Sequence, residues 1–114
     1  MNKWIIAAVV ALSLPLSAAR AEVDKKAERL WKGKCASCHG ADGKGQTDQG
    51  GKMGVADYTD AAWQKGHTDA AIKDAITKGV KREKNGKKQE MDPFGEKLDA
   101  AQIDSLVAYI RTLK

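Results

Sequence analysis

Cysteine is scarce in this 114-residue chain, and so are histidine, proline and the aromatic residues. The two cysteines are Cys35 and Cys38, and the two histidines are His39 and His67. A structural zinc site takes four Cys or His ligands, usually as two separated pairs, and no second cysteine pair exists to complete one. Aromatic residues make up 5% of the chain, too little to fill the centre of a small domain. Such domains commonly depend on a disulfide, a metal or a cofactor for stability. Long apolar runs are also lacking. A bilayer span needs about 20 apolar residues, whereas the run from Trp4 to Leu16 is shorter and is interrupted by Pro15.

That run has another reading. Lys3 supplies a positive start, the apolar stretch follows, and Ala19-Arg20-Ala21 offers a small-x-small cleavage site ahead of Glu22, the order of a secretory signal peptide. Residues 1–21 are expected to be removed, leaving 22–114 as one small domain outside the cytosol with no permanent membrane anchor. The formal net charge of +5 changes accordingly. Without Lys3 and Arg20 the 20 basic residues fall to 18 against 15 acidic ones, a net charge of +3. Bulk charge this small says little about partners.

Against these scarcities stands one dense constellation, Cys35-Ala36-Ser37-Cys38-His39. Two thiols two residues apart, followed at once by an imidazole, can bond the two vinyl groups of one haem and ligate its iron from one side. A thioredoxin-like redox pair competes with that reading, but it asks for a strand running into a helix. The surroundings here are helical and rich in glycine. Covalent haem attachment and paired cysteines also fit an exported protein.

The remaining segments read as helices and loops. From Asp24 a helix is expected, with Val23, Ala27, Leu30 and Trp31 on one face and Lys25, Lys26, Glu28, Arg29 and Lys32 on the other. Trp31 is a core residue in that reading. Gly33 costs the helix about 1 kcal/mol against alanine and suits a close backbone approach. Gly40 to Gly54 reads as loop, since glycine is dense and apolar periodicity is missing. Its Gly43-Lys44-Gly45 stretch lacks the spacing and ending of a phosphate loop.

A short helix is predicted from Asp60 to Lys65 and a better one from Asp69 to Lys78, with Thr68 as N-cap and Gly79 as stop. Trp63 is either ordinary core or a donor aiming its indole N–H at a haem propionate. His67 reads as a solvated loop residue. Lys78, Lys81, Arg82, Lys84, Lys87 and Lys88 follow in close order, with Asn85-Gly86 as a turn signal, and predict a basic loop. Nucleic acid is a poor partner for it, because interleaved aromatics are lacking and the charge is modest. Pro93 holds Asp92 extended, which leaves Met91 on an irregular segment free to aim its sulfur inward. The last helix is the clearest. Asp99 is its N-cap, Gln102 completes a capping box, and Ile103, Leu106, Val107 and Ile110 form its apolar stripe.

With Cys-Ala-Ser-Cys-His-Gly at 35–40, Met91 followed by Pro93-Phe94, and Leu106-Val107-Ala108-Tyr109-Ile110-Arg111, the chain resembles the bacterial class I monohaem cytochromes c over nearly all of residues 24–113. The resemblance implies an all-α fold, with N- and C-terminal helices crossing and short helices and loops wrapped around one covalent haem c. It implies thioethers at Cys35 and Cys38, His39 as proximal iron ligand and Met91 as distal ligand. It also sets Trp31 and Ala27 against Leu106 and Tyr109 where the terminal helices cross. Two departures stand out: Asp92 separates the methionine from its proline, and no proline follows the motif to orient the histidine ring.

The expected function is single-electron transfer in the periplasm, with no catalytic residues. Redox proteins would dock at the haem edge, helped by the basic residues between Lys78 and Lys88. Met53 is the competing sulfur, but it sits among glycines, where fixing a side chain costs most backbone entropy, whereas Met91 is anchored by Asp92-Pro93 and Phe94. Two alternatives stay open. One is a five-coordinate gas-binding or peroxidase-like haem protein, for which His67 is the sole candidate distal histidine; the other is an electron-entry subunit of a larger oxidoreductase.

Overall fold

The computed structural model describes residues 16–114, with side chains from Asp24 onward. The expected leader, residues 1–21, lies outside the residues described in full. Six helices and one hairpin follow in chain order: α1 (Leu16–Lys34), α2 (Ala36–His39), α3 (Asp48–Met53), α4 (Ala61–Gly66), α5 (Asp69–Lys78), β1 (Val80–Lys84), β2 (Lys87–Met91) and α6 (Ala100–Arg111).

The core forms where the terminal helices meet. Ala27 and Trp31 of α1 are 2% and 1% exposed, and Ile103, Leu106, Val107 and Ile110 of α6 are buried with them. Trp31 lies 5.6 Å from Tyr109, centroid to centroid, so the predicted crossing is present. Ile72 and Ile76 of α5 and Leu98 complete the cluster. Local chemistry ends these helices as the sequence predicts. Thr68 accepts from the Ala71 amide, and Gly79 closes α5 at φ 77°. Asp99 accepts from the Gln102 amide at 2.7 Å, while the Gln102 side chain accepts from the Asp99 amide at 3.0 Å. Asp60 caps α4 by accepting from Ala62.

Four expectations are corrected. α1 begins at Leu16 rather than Asp24, since Leu16-Ser17-Ala18-Ala19-Arg20-Ala21-Glu22 is rich in helix formers. A Cβ on Gly33 would meet nothing within 4 Å among the described residues, so no close approach explains that glycine. Within the expected 40–54 loop stands α3, capped by the Thr47 hydroxyl, which accepts from Gly50 and donates to the Cys38 carbonyl at 2.8 Å. The fourth is the basic stretch.

That stretch is an antiparallel hairpin in which Val80 pairs with Met91 and Lys84 with Lys87. Asn85 and Gly86 both hold positive φ, 53° and 76°, the backbone of a two-residue hairpin turn whose twist matches the strands. Its strands are so charged that no apolar alternation announces them. Met91 therefore ends a strand instead of sitting on irregular chain. The fold is mostly helical, with this hairpin as its one sheet among the described residues.

Candidate haem-attachment site

α1 runs directly into the motif. Cys35 donates from its amide to the Trp31 carbonyl at 2.9 Å, and the short turn α2 then closes with His39 N–H on Cys35 O at 3.0 Å and Gly40 N–H on Ala36 O at 2.8 Å. Helical continuation thus brings both thiols and the imidazole onto one turn. Two long-range bonds fix it. The buried Trp31 indole Nε1 donates to the Gly40 carbonyl at 2.9 Å, and Thr47 reaches Cys38 from α3. A Cβ on Gly50 would overlap the Cys38 and Gly45 carbonyl oxygens, so only glycine lets α3 pack this closely. The Trp31 bond to the motif was invisible in sequence, where the residue read as plain core.

The site's electrostatics separate the competing readings. Burial pushes the Cys35 thiol up to about 11, with Lys34 pulling it down and Cys38 adding to the rise. Reactive dithiol pairs hold their nucleophile well below the free-cysteine value, the opposite direction from the rise at Cys35. Both thiols are half-buried and not joined to one another. No group of three or more Cys, His, Asp or Glu among the described residues is arranged to hold a metal ion.

His39 is held below the ordinary histidine range by burial, and a neutral imidazole is the form that ligates metal. Its Nδ1 is buried with no hydrogen-bond partner. Buried polar atoms in this condition call for an explanation, and two free thiols beside an imidazole with unspent bonding capacity fit a covalently attached, histidine-ligated haem.

An aromatic file extends from His39. Its ring is stacked on Tyr58, 5.1 Å between centroids and 26° between planes. Tyr58 lies 4.2 Å from Trp63, and Trp63 is stacked on His67 at 4.4 Å. His67 is exposed, with Nδ1 paired to the Trp63 carbonyl at 2.8 Å, so it ends the file at solvent. Trp63 Nε1 has no protein acceptor among the described residues. Tyr58, which the sequence reading passed over, carries no motif that marks it.

The two remaining methionines differ in setting. Met91 packs, partly buried, against the core cluster, as do Cys35, Tyr58, Trp63 and Phe94; Met53 is not in that company among the described residues. A cleft of about 650 Å³ between α1 and the start of α6 contains no motif residue: it is lined by Lys26, Arg29, Lys34, Asp99 and Gln102 among others.

Arg111 closes the far side of the aromatic file. Its guanidinium donates to Asp69 Oδ1 at 2.7 Å, to the Gln64 carbonyl at 2.7 Å, to Gln64 Oε1 at 2.8 Å and to the His67 carbonyl. Buried Gln64 in turn donates to the Tyr58 and Ile110 carbonyls at 2.7 and 3.0 Å. The segment bearing Tyr58, Trp63 and His67 is thereby tied to α5 and α6.

Residues 25–114 match the cytochrome c family, and the chain belongs to it. It is 34% identical over 89 residues to the FixP subunit of the cbb3-type cytochrome c oxidase of Azorhizobium caulinodans, covering 78% of this chain and 27% of that one. Against the CcoP subunit of the same oxidase type from Azospirillum brasilense, identity is 28% over 102 residues, covering 90% and 32%. The chain therefore spans about a third or less of these relatives. Among solved structures, the c-type cytochrome KustC0563 superposes with a TM-score of 0.64 at 33% identity, covering 77% of this chain and 96% of that one. A single-residue variant of it gives 0.65 at 32% identity, covering 78% and 99%.

Proposed function

We infer that the protein is a periplasmic single-electron carrier, with one haem c joined to Cys35 and Cys38 and ligated by His39 and Met91. The observation that carries this reading is the motif turn: two unjoined thiols beside a buried imidazole nitrogen that has no partner. Bound there, haem supplies a one-electron couple whose potential a methionine ligand raises. The chain's own part is to hold and orient. Trp31 and Thr47 fix the turn, Tyr58 backs the His39 ring, and Met91 is packed on the core. Trp63, whose indole N–H has no protein acceptor among the described residues, is the candidate propionate donor. No acid or base is needed, so no residue is assigned a catalytic role.

Redox proteins are the partners in this reading, and the hairpin is the docking surface. Lys81 stands opposite Glu90 and Lys88 opposite Glu83, whereas Lys84 faces Lys87 at the tip, so positive charge concentrates beside the turn. Such a tip steers acidic partners. Removal of residues 1–21 and release without a permanent anchor complete the reading; among the described residues no helix is long and apolar enough to cross a membrane.

Optical and electron-paramagnetic spectra of the oxidised holoprotein test it. A low-spin iron with a sulfur-to-iron charge-transfer band is expected, and a high-spin, five-coordinate iron overturns it. His67, stacked on Trp63 and exposed, is poorly placed for the distal role that the five-coordinate alternative needs. A second reading, an electron-entry subunit, is favoured by the relatives, which are subunits of an oxidase and are far longer than this chain. Co-purification of the native chain with oxidase activity would establish it.

A further inference from the structure

Strand side chains alternate in direction, so Lys87, Gln89 and Met91 share one face of β2 while Lys88 and Glu90 take the other. Gln89 is 8% exposed, and both ends of its amide are engaged. Nε2 donates to the Met53 carbonyl at 2.9 Å and the Gly54 carbonyl at 3.1 Å, while Oε1 accepts from Arg82 Nε at 2.7 Å. Lys87 Nζ adds a bond to the Gly51 carbonyl at 2.9 Å. The last carbonyls of a helix lack partners within it, and here the hairpin supplies donors to the end of α3.

Little else holds the hairpin down. A two-stranded hairpin is marginal on its own, and Val80 and Met91 are the apolar residues in this one. Beyond Met91 the chain is tied again. Phe94 N–H donates to the Ile76 carbonyl at 2.9 Å and Gly95 N–H to the Thr77 carbonyl at 3.0 Å. Gly79, at φ 77°, lets the strand end pass so close that a Cβ there would stand 2.5 Å from the Met91 carbonyl oxygen. Met91 is thus held from both sides, by Gln89 before it and Phe94 after it.

We propose that Gln89 is the positioning residue for Met91: its amide latches the hairpin to the end of α3 and sets how readily the methionine gives way to an external iron ligand. This deepens the reading of Met91 as distal ligand and rests on it. Gln89→Glu retains an acceptor for Arg82 but has no donor for Met53 and Gly54; Gln89→Leu has neither.

The test measures imidazole and cyanide binding rates of the ferric holoprotein, beside unfolding followed by circular dichroism. Both variants should exchange methionine about tenfold faster, the effect of lost hydrogen bonding on a local barrier. Asp99→Ala, which removes the α6 cap, serves as the comparison: it should lower stability and leave the exchange rate at the parental value. A parental charge-transfer band with unchanged exchange in both Gln89 variants overturns the latch alone, as does equal acceleration by Asp99→Ala. A parent lacking that band, with Met91→Ala leaving its spectrum unchanged, overturns the ligand assignment and the latch with it.

Discussion

The imidazole of His39 and the phenol ring of Tyr58 are stacked, 5.1 Å apart and 26° from parallel. Burial pushes the Tyr58 phenol up to about 12, opposed by Arg82 and reinforced by Cys35 only while that thiol is free. An acid whose folded value is raised binds its proton more tightly when folded, so its contribution to stability is complete below the unfolded value of about 10. It is lost as pH rises from there through about 12. Urea unfolding of the holoprotein should therefore weaken more between pH 9 and 11.5 in the parent than in Tyr58→Phe; equal declines would remove Tyr58 as the cause.

Met91→Ala should abolish the sulfur-to-iron charge-transfer band, lower the reduction potential and open ferrous iron to carbon monoxide. Met53→Ala should do none of these. Spectra and potentiometry on the two variants decide the matter, and the reverse pattern would transfer the ligand role to Met53.

Trp31→Phe keeps most of the ring and deletes the donor to Gly40. A buried carbonyl left without its partner costs about 1–3 kcal/mol, so unfolding free energy should fall by that amount. Because Gly40 closes the motif turn, haem incorporation during expression should fall too. Unchanged stability and loading would reduce Trp31 to packing.

Trp63→Phe tests the free indole. A hydrogen bond to a charged group contributes about 1.5–3 kcal/mol, and losing one at a propionate should shift the reduction potential and its pH dependence. The variant should otherwise keep its stacking between Tyr58 and His67. If potential and pH profile match the parent, Trp63 serves the aromatic file alone.

For the hairpin, Lys81→Glu, Lys84→Glu and Lys88→Glu together should slow electron transfer with an acidic redox partner and flatten its dependence on ionic strength. Surface charge pairs are individually weak, so melting temperature should barely move. Stopped-flow rates and a salt dependence both unchanged from the parent would make the hairpin a solvated face.

Much of the molecule is written locally. The motif turn needs only five consecutive residues, and caps such as Thr68 and the Asp99–Gln102 pair satisfy backbone groups within three residues of themselves. The stripes on α1 and α6 follow from helical periodicity, which is why their crossing was legible. Other features depend on backbone groups that the fold leaves unsatisfied far along the chain. Gln89 reaches 35 and 36 residues back to the end of α3, and Arg111 bridges 42 to 47 residues to Asp69, His67 and Gln64. α3 exists because Thr47 finds both Gly50 and Cys38, and the hairpin's charged strands show no alternation until α3 offers its carbonyls. Residue type alone marked Cys35, Cys38 and His39 as the candidate haem-attachment residues. Which polar side chains hold the segments around it was decided only by tertiary structure, because a hydrogen bond's partner is chosen by proximity and burial rather than by position in the chain.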